Sequence, residues 1–254
     1  MWALVTGATS GIGAEFTKLL AKEHYDIILV ARDEIRLKRS AEELEKEFAV
    51  TTEIIVADLS VENEIVLVEQ RLLTTNPSLA VGVLINNAGY GLKGRFINHT
   101  SAAEVDLLNV LVTAILRLTR AALPNMRNVK NGYIINVGSV AGWLTGGTYS
   151  AAKAWVNVFS EYLNVDLAKD GITVTSLVPG FTHTEFHQRG GMKMGAVPEF
   201  LWEKAADVAK AAWDGTLRGD AIVISGKQYR VIVFLARHLP RKLVRRIQTH
   251  RKFT

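Results

Sequence analysis

The feature that most limits how this chain can fold is a regular alternation of two kinds of segment from end to end. Seven short runs, Leu4-Val5, Ile27 to Val30, Ile54 to Val56, Val83 to Ile85, Ile134 to Val137, Val174 to Val178 and Ile222 to Ile224, are apolar on consecutive positions and rich in β-branched residues. Strands with one wet face alternate apolar and polar residues. Continuous apolar runs mark strands buried on both faces, as in parallel sheets. Amphipathic stretches at 34–48, 61–74, 101–123, 149–169 and 204–218 fall between them and read as helices. Ser101 and Glu104 match a capping box at the start of the third of these. Parallel strands need crossover connections, so the pattern predicts an α/β, doubly wound, seven-stranded parallel sheet covered by helices on both faces, a three-layer αβα domain. No repeat, linker or low-complexity tract interrupts residues 1–226, which are expected to form one domain.

Charge is distributed unevenly. The net charge of the 254 residues is +5, yet residues 227–254 hold nine Lys and Arg and no acid, leaving the body with 21 basic against 25 acidic residues. Any attraction to an anionic partner therefore belongs to the tail, which is expected to be helical. It reads either as an amphipathic helix on an anionic membrane surface or as a terminal helix packed on the domain or a sister subunit. Nucleic-acid binding is not expected, because no nucleic-acid motif accompanies the basic tail. The chain has no cysteine, which excludes disulfides, thiolate metal sites and cysteine nucleophiles. The N-terminus shows no signal-peptide pattern and no uncharged apolar run reaches the length of a membrane span, so a cytoplasmic protein is expected.

The chemistry-bearing residues follow the ends of the strands. The first strand runs into Thr6-Gly7-Ala8-Thr9-Ser10-Gly11-Ile12-Gly13. Glycines there let the backbone turn tightly and approach a pyrophosphate, which would rest on the N-terminus of the next helix with Gly7, Ser10, Gly11, Ile12 and Gly13 around it. A glycine-rich turn alone is compatible with an ordinary loop. The second strand ends at Ala31-Arg32-Asp33. Dinucleotide folds place a ribose-binding acid about 20 residues past the glycines. Arg32 occupies that place here, and a guanidinium there favours the 2′-phosphate of NADP(H) over NAD(H). Asp33 lies one position out of register for ribose binding and reads alternatively as a helix cap. Asp58-Leu59 and Asn86-Asn87-Ala88-Gly89 close the third and fourth strands, at the sheet edge where ligands bind in open α/β folds.

Tyr149-Ser150-Ala151-Ala152-Lys153 lies on an expected helix, where positions i and i+4 share a face. An ammonium near a phenol favours phenolate and would lower the Tyr149 pKa towards the range useful to a general acid. Ser139 lies ten residues upstream, after a strand, and Asn109 lies on the helix before that strand.

Taken in order, the Thr6–Gly13 loop, Asn86 to Gly89, Asn109, Ser139, Tyr149 with Lys153, and Pro179-Gly180 followed by Thr184 resemble the signature of the short-chain dehydrogenase/reductase family, over residues 3 to about 225. The resemblance implies a Rossmann-type oxidoreductase that moves a hydride between NADP(H) and a carbonyl or alcohol. It implies that Tyr149 is the acid/base and that Ser139 polarises the substrate carbonyl. Lys153 would bind the nicotinamide ribose and tune Tyr149, and Asn109 would hold a relay water. Pro179, Thr182 and Thr184 would flank the cofactor. It further implies a homodimer or homotetramer built through the helices at 101–123 and 149–169. The chain departs from the family pattern between Ser139 and Tyr149, where the interval is short and a loop at residues 143–147 is trimmed. A non-catalytic dinucleotide-binding regulator is the alternative, against which the complete Asn-Ser-Tyr-Lys set argues.

Two weaker features remain. His183 and His187 stand four apart, but no third ligand has matching spacing, so no metal is expected. Residues 181–202 are unusually apolar and carry Gly190, Gly191 and Gly195. They read as a satellite core or, following the Pro179 turn, as a lid over a small hydrophobic carbonyl or alcohol substrate.

Overall fold

The computed structural model describes residues 1–186 and 197–249, with side chains as far as residue 245. Its strands are β1 (Trp2–Thr6), β2 (Asp26–Ala31), β3 (Thr52–Val56), β4 (Val81–Asn86), β5 (Gly132–Val137), β6 (Ile172–Val178), β7 (Thr182–His183), β8 (Glu203–Lys204) and β9 (Ile222–Ile224). The helices are α1 (Gly11–Lys22), α2 (Glu34–Phe48), α3 (Glu62–Leu72), α4 (Ser101–Leu108), α5 (Ala114–Val129), α6 (Gly147–Asp166), α7 (Ala205–Leu217), α8 (Lys227–His238) and α9 (Arg241–Thr249).

Seven strands form one sheet in the order β3-β2-β1-β4-β5-β6-β9, every neighbouring pair parallel. The two-residue strands β7 and β8 pair apart from it. Strand pleating sends successive side chains to opposite faces. Leu4, Ile28, Leu84, Ile134 and Val174 therefore join one core with α3, α5 and α6, while Val5, Ile27, Leu29, Ile85 and Ile135 join the other with α1, α2 and α7. This is the expected three-layer, doubly wound sheet. Its order reverses between β1 and β4, and the crevice that opens at such a reversal is where ligands of open α/β sheets bind.

Three local expectations need correction. The cap of α4 is Thr100, whose hydroxyl accepts from Ala103 N at 3.2 Å, while Ser101 is the first helical residue. Glu104 lies one position beyond a capping-box site and instead holds His99 Nδ1 at 2.7 Å. The helix expected to stop before Pro124 continues to Val129, because Ala121, Ala122 and Met126 are buried and their packing outweighs the one internal hydrogen bond a proline forfeits. A π turn over Asn109–Thr113 joins α4 to α5.

The continuous helical run 101–129 contains an apolar window long enough to cross a membrane by length and composition, but half of that window is buried inside the domain. Its Arg117 binds Glu69 and Glu62 of α3, which pins the run against its neighbour as a core helix.

The basic tail is helical, as expected, but it is not an appendage. Tyr229, Val233 and Ala236 of α8 are buried, and Tyr229 and Val233 share a cluster with Val140 after β5 and Val178 of β6. A division at residue 226 therefore cuts through a packed core.

Candidate active site

Thr6 ends β1 and fastens the sheet at its reversal point. Its hydroxyl accepts from Asn87 N at 2.9 Å and Ala88 N at 3.0 Å and donates to Ile85 O at 3.3 Å. Asn87 returns the contact through Nδ2, donating to Thr6 O at 2.9 Å and Gly7 O at 3.2 Å. The loop after β1 then leads into α1. Gly11 has φ of +56°, and a Cβ there would sit 2.7 Å from Thr184 Cγ2. A Cβ on Gly13 would lie 2.2 Å from Gly7 O, so only glycine lets α1 start this close to the strand end. Ser10 occupies the N-cap without turning its side chain onto the helix. The first amides of α1 consequently face the crevice uncapped, with the positive end of the helix dipole behind them.

A cavity of about 1040 Å³ runs along this edge of the sheet. Gly7, Ser10, Gly11, Ile12, Arg32, Asp58, Leu59, Ala88 and Gly89 line it, as do Ser139, Tyr149, Lys153, Pro179, Thr182 and Thr184. Most of the residues singled out in the sequence thus meet in one place. Three do not. Gly13 acts behind the loop, as above. Asn86 is buried in the core, where its Nδ2 donates to Asn136 Oδ1 at 2.8 Å and Thr119 Oγ1 at 3.2 Å. Successive residues of a strand point to opposite sides, and the neighbour that lines the cavity is Asn87. Asn109 turns its amide onto Ser60 O at 3.3 Å, and its carbonyl accepts Ala114 N–H across the π turn.

Lys153 is buried at 3 % exposure and donates from Nζ to Val137 O at 2.5 Å, with Nζ 5.8 Å from the Tyr149 ring centre. Burial disfavours its charged form and pulls its pKa down to about 8. Burial acts in the opposite sense on Tyr149, raising the phenol to about 12 even though a hydrogen bond with the Ser139 side chain pulls it down. The expectation that the ammonium would lower the tyrosine is therefore overturned in this structure, because desolvation of the phenolate dominates. What results is a phenol that keeps its proton across the physiological range. Ser139 Oγ also accepts from Ala141 N at 3.1 Å, which fixes the hydroxyl at the start of the loop leading to α6.

The other wall is apolar. Val140, Leu144, Phe181, Phe186 and Leu201 line it, and the Phe186 ring lies 5.8 Å from that of Tyr149. Tyr229 and Ile232 of α8 complete it. The sequence reading missed these two by setting the tail apart, although Tyr229, Ile232, Val233 and Ala236 recur at helical spacing. Trp143 of the short loop lies under the same tail, its carbonyl accepting from Arg241 Nη1 at 3.1 Å and its ring 6.0 Å from the Arg237 guanidinium.

Both ends of segment 181–202 are anchored. Thr182 and His183 pair with Glu203 and Lys204, Glu185 takes both Nη atoms of Arg36 at 2.8 and 3.0 Å, and the Tyr229 hydroxyl accepts from Phe181 N at 2.8 Å while donating to Leu201 O. His183 stacks on Trp202 at 4.7 Å and pairs with Glu199 at 3.3 Å. Residues His187, Gly190, Gly191, Met192, Met194 and Gly195 lie outside the described residues.

At the far end Asp33 caps α2, accepting from Arg36 N at 3.0 Å, and lines the cavity beside Arg32. Arg32 is 66 % exposed, with Nη1 3.3 Å from Asp58 Oδ2. Burial alone would raise the Asp58 carboxyl, but hydrogen bonds from Ser60 and Arg32 outweigh it and hold the group below its ordinary range.

An uncapped helix N-terminus, a backbone cradle closed to any Cβ, and a buried lysine beside a half-buried tyrosine and serine along one crevice are the parts of a dinucleotide-dependent enzyme. The chain belongs to the short chain dehydrogenase family, whose model matches residues 1–193. It is 38 % identical over 181 residues to the very-long-chain 3-oxoacyl-CoA reductase of Laccaria bicolor, a match covering 69 % of this chain and 53 % of that protein. The chain spans little more than half the length of the curated relatives it matches. Among solved structures it resembles a short-chain dehydrogenase from Sphingobium yanoikuyae in complex with NADPH, at TM-score 0.84 and 34 % identity over 89 % of this chain and 88 % of that one. A bulky-bulky ketone specific alcohol dehydrogenase from Comamonas testosteroni matches at TM-score 0.79 and 30 % identity over 100 % and 96 % of the two chains. The residues lining the crevice fit a nicotinamide dinucleotide. The loop of Gly7 to Ile12 and the start of α1 would hold its pyrophosphate, and Lys153, Pro179, Thr182 and Thr184 would hold the part nearest Tyr149.

Proposed function

We propose that this protein is an NADP(H)-dependent reductase of hydrophobic ketones, aldehydes or 3-oxoacyl groups, or the corresponding alcohol dehydrogenase. The observation that carries the reading is a half-buried Tyr149 phenol bonded to Ser139 and set against an apolar wall, in the same cavity as a glycine cradle. When bound, the nicotinamide supplies the hydride. Tyr149 donates its proton to the substrate carbonyl oxygen, and Ser139 gives that oxygen a second hydrogen bond, so two fixed donors meet the charge that develops there. The Lys153 ammonium favours the phenolate left behind and, on the cofactor side, engages the ribose. Leu144, Phe186, Leu201 and Ile232 exclude water from the reacting carbonyl and select an apolar substrate. The names of the 3-oxoacyl-CoA reductase relatives and of the bulky-ketone enzyme support a large apolar carbonyl substrate.

Arg32 supports NADP(H) over NAD(H), as does the NADPH in the Sphingobium complex. Assembly into dimers or tetramers is supported by Val105, Leu108 and Leu116 on the 101–129 run and by Val158, Tyr162 and Val165 on α6, all exposed apolar residues.

The test follows NADPH oxidation against 3-oxoacyl thioesters of rising chain length and ketones of rising bulk, using wild type and Tyr149→Phe. Turnover by wild type that falls by about 10²- to 10⁴-fold in the variant, with cofactor binding intact, is the expected result. Cofactor binding without turnover of any carbonyl would overturn the reading in favour of a regulatory dinucleotide-binding protein.

A further inference from the structure

α8 presents two faces of different chemistry. Inward, Tyr229 and Ile232 wall the cavity, and Val233 and Ala236 are buried. Outward, Val231 and Phe234 are each 59 % exposed and Leu235 is 47 % exposed, spaced to form one apolar strip along the helix. Lys227, Arg230 and Arg237 border that strip on α8, and Lys242 lies beyond it on α9 beside the half-exposed Leu243. These four cations form no ion pair among the described residues, and residues 227–254 contain no acid that could neutralise them.

We infer that the outer face of α8, with the start of α9, docks this protein on an anionic lipid surface. The two halves of the observation select that occupant. An apolar strip flanked by cations gains from hydrocarbon at its centre and from acidic headgroups at its margins. A second copy of the chain meeting this face by two-fold symmetry would bring the same cations together, which opposes pairing. A nucleic acid would set its phosphates against Val231, Phe234 and Leu235. The placement has a functional side, because the helix that lies on lipid with one face lines the apolar cavity with the other.

The inference does not depend on the reaction proposed above, since its test measures partition and not turnover. Full-length protein is sedimented with phosphatidylcholine vesicles lacking or containing phosphatidylserine. Binding is expected only with phosphatidylserine. It should be lost when salt rises from about 0.1 to 1 M, which shortens the screening length from ~10 to ~3 Å. At roughly fivefold per cation near such a surface, Arg230→Glu with Lys242→Glu should weaken binding by at least about 25-fold. Val231→Ser with Phe234→Ser and Leu235→Ser should weaken it comparably while leaving cofactor affinity unchanged. In Phe234→Trp, lipids brominated on the acyl chain should quench the added fluorescence, which places the ring below the headgroups. Equal sedimentation with both vesicle types, or absence of quenching, overturns the inference. So does a triple-serine variant that changes oligomer mass without any vesicle binding by wild type, which would assign the face to a second copy. Capture of wild type by polyglutamate or duplex DNA but not by vesicles would overturn it equally.

Discussion

Tyr229 offers the most direct test of how the substrate wall is held. Its hydroxyl joins both ends of segment 181–202, accepting from Phe181 N and donating to Leu201 O, and its ring packs so closely on Gly180 that a Cβ there would lie 1.9 Å from Cζ. Burial pushes this phenol up to about 12, so it remains a donor at any pH at which the protein would be assayed. Tyr229→Phe keeps the ring and removes only the oxygen. Phe181 N–H and Leu201 C=O then lose their phenolic partner in a half-buried setting, at ~1–2 kcal/mol each, or about 2–4 kcal/mol together. Unfolding entropy of roughly 2.1 cal/mol/K per residue gives about 0.5 kcal/mol/K for a chain of this length, so Tm should fall by about 4–8 °C. Scanning calorimetry measures that directly. With one of the ties between the two ends of the segment removed and the β7–β8 pairing left in place, KM for an apolar carbonyl should rise more than kcat falls, because the loss is in the wall and not in the proton donor. A Tm change below about 2 °C with KM unaltered would refute the reasoning, since it would mean that the hydroxyl couples nothing.

Three further outcomes follow from the site. Lys153 is an ammonium below about 8 and an amine above it, so reduction rates should decline as pH rises through that value; a profile flat to pH 10 in wild type would separate the lysine from the chemistry. Arg32 is solvent-exposed and already engaged by Asp58, so its transfer to a 2′-phosphate exchanges one partner for another. Arg32→Ala should therefore cost NADPH affinity only about tenfold or less, with NADH unaffected in isothermal titration, and tighter NADH than NADPH binding by wild type would remove the assignment. Gly13→Ala places a methyl group against Gly7 O with no flexible side chain to yield, and should destabilise by ~3 kcal/mol or more in denaturant titration, where a change within 0.5 kcal/mol would contradict the geometry.

The strands could be read from the sequence because a parallel strand buried on both faces has no polar positions to obscure it. The seven apolar runs are the seven strands of the sheet, all but the last extended by a residue or more. The helix at 34–48 was equally legible, with Asp33 as its cap. Where sequence reading failed, contacts distant along the chain had decided the outcome. Asn86 and Asn87 are equivalent as letters, and only strand phase sends one into the core and the other to the cavity. The Tyr149 pKa was misjudged by weighing the lysine and ignoring the burial that both groups share. Tyr229 and Ile232 were missed because a run of positive charge drew attention to the outer face of the tail and away from its inner one.

The π turn at Asn109–Thr113 bears on how this chain could tolerate change in length. A single π turn is in effect one residue more than the α-helical spiral requires, and it advances everything beyond it by about 100° around the axis, the angle of one residue at 3.6 per turn. The two halves of the 101–129 run are thus out of phase, with Leu107 set against α6 on one side and Leu118, Ala122 and Met126 facing the sheet on the other. Most surface helices accommodate the loss of a residue near an end by fraying. Here the removal of any one residue from 109–113 would let the spiral close regularly while swinging Asp106 and Leu107 about a third of a turn away from the cavity wall and the core. The 101–129 run therefore behaves like a gear whose teeth have been cut to an exact count. Substitution along it changes a contact, but deletion would change which face the helix presents.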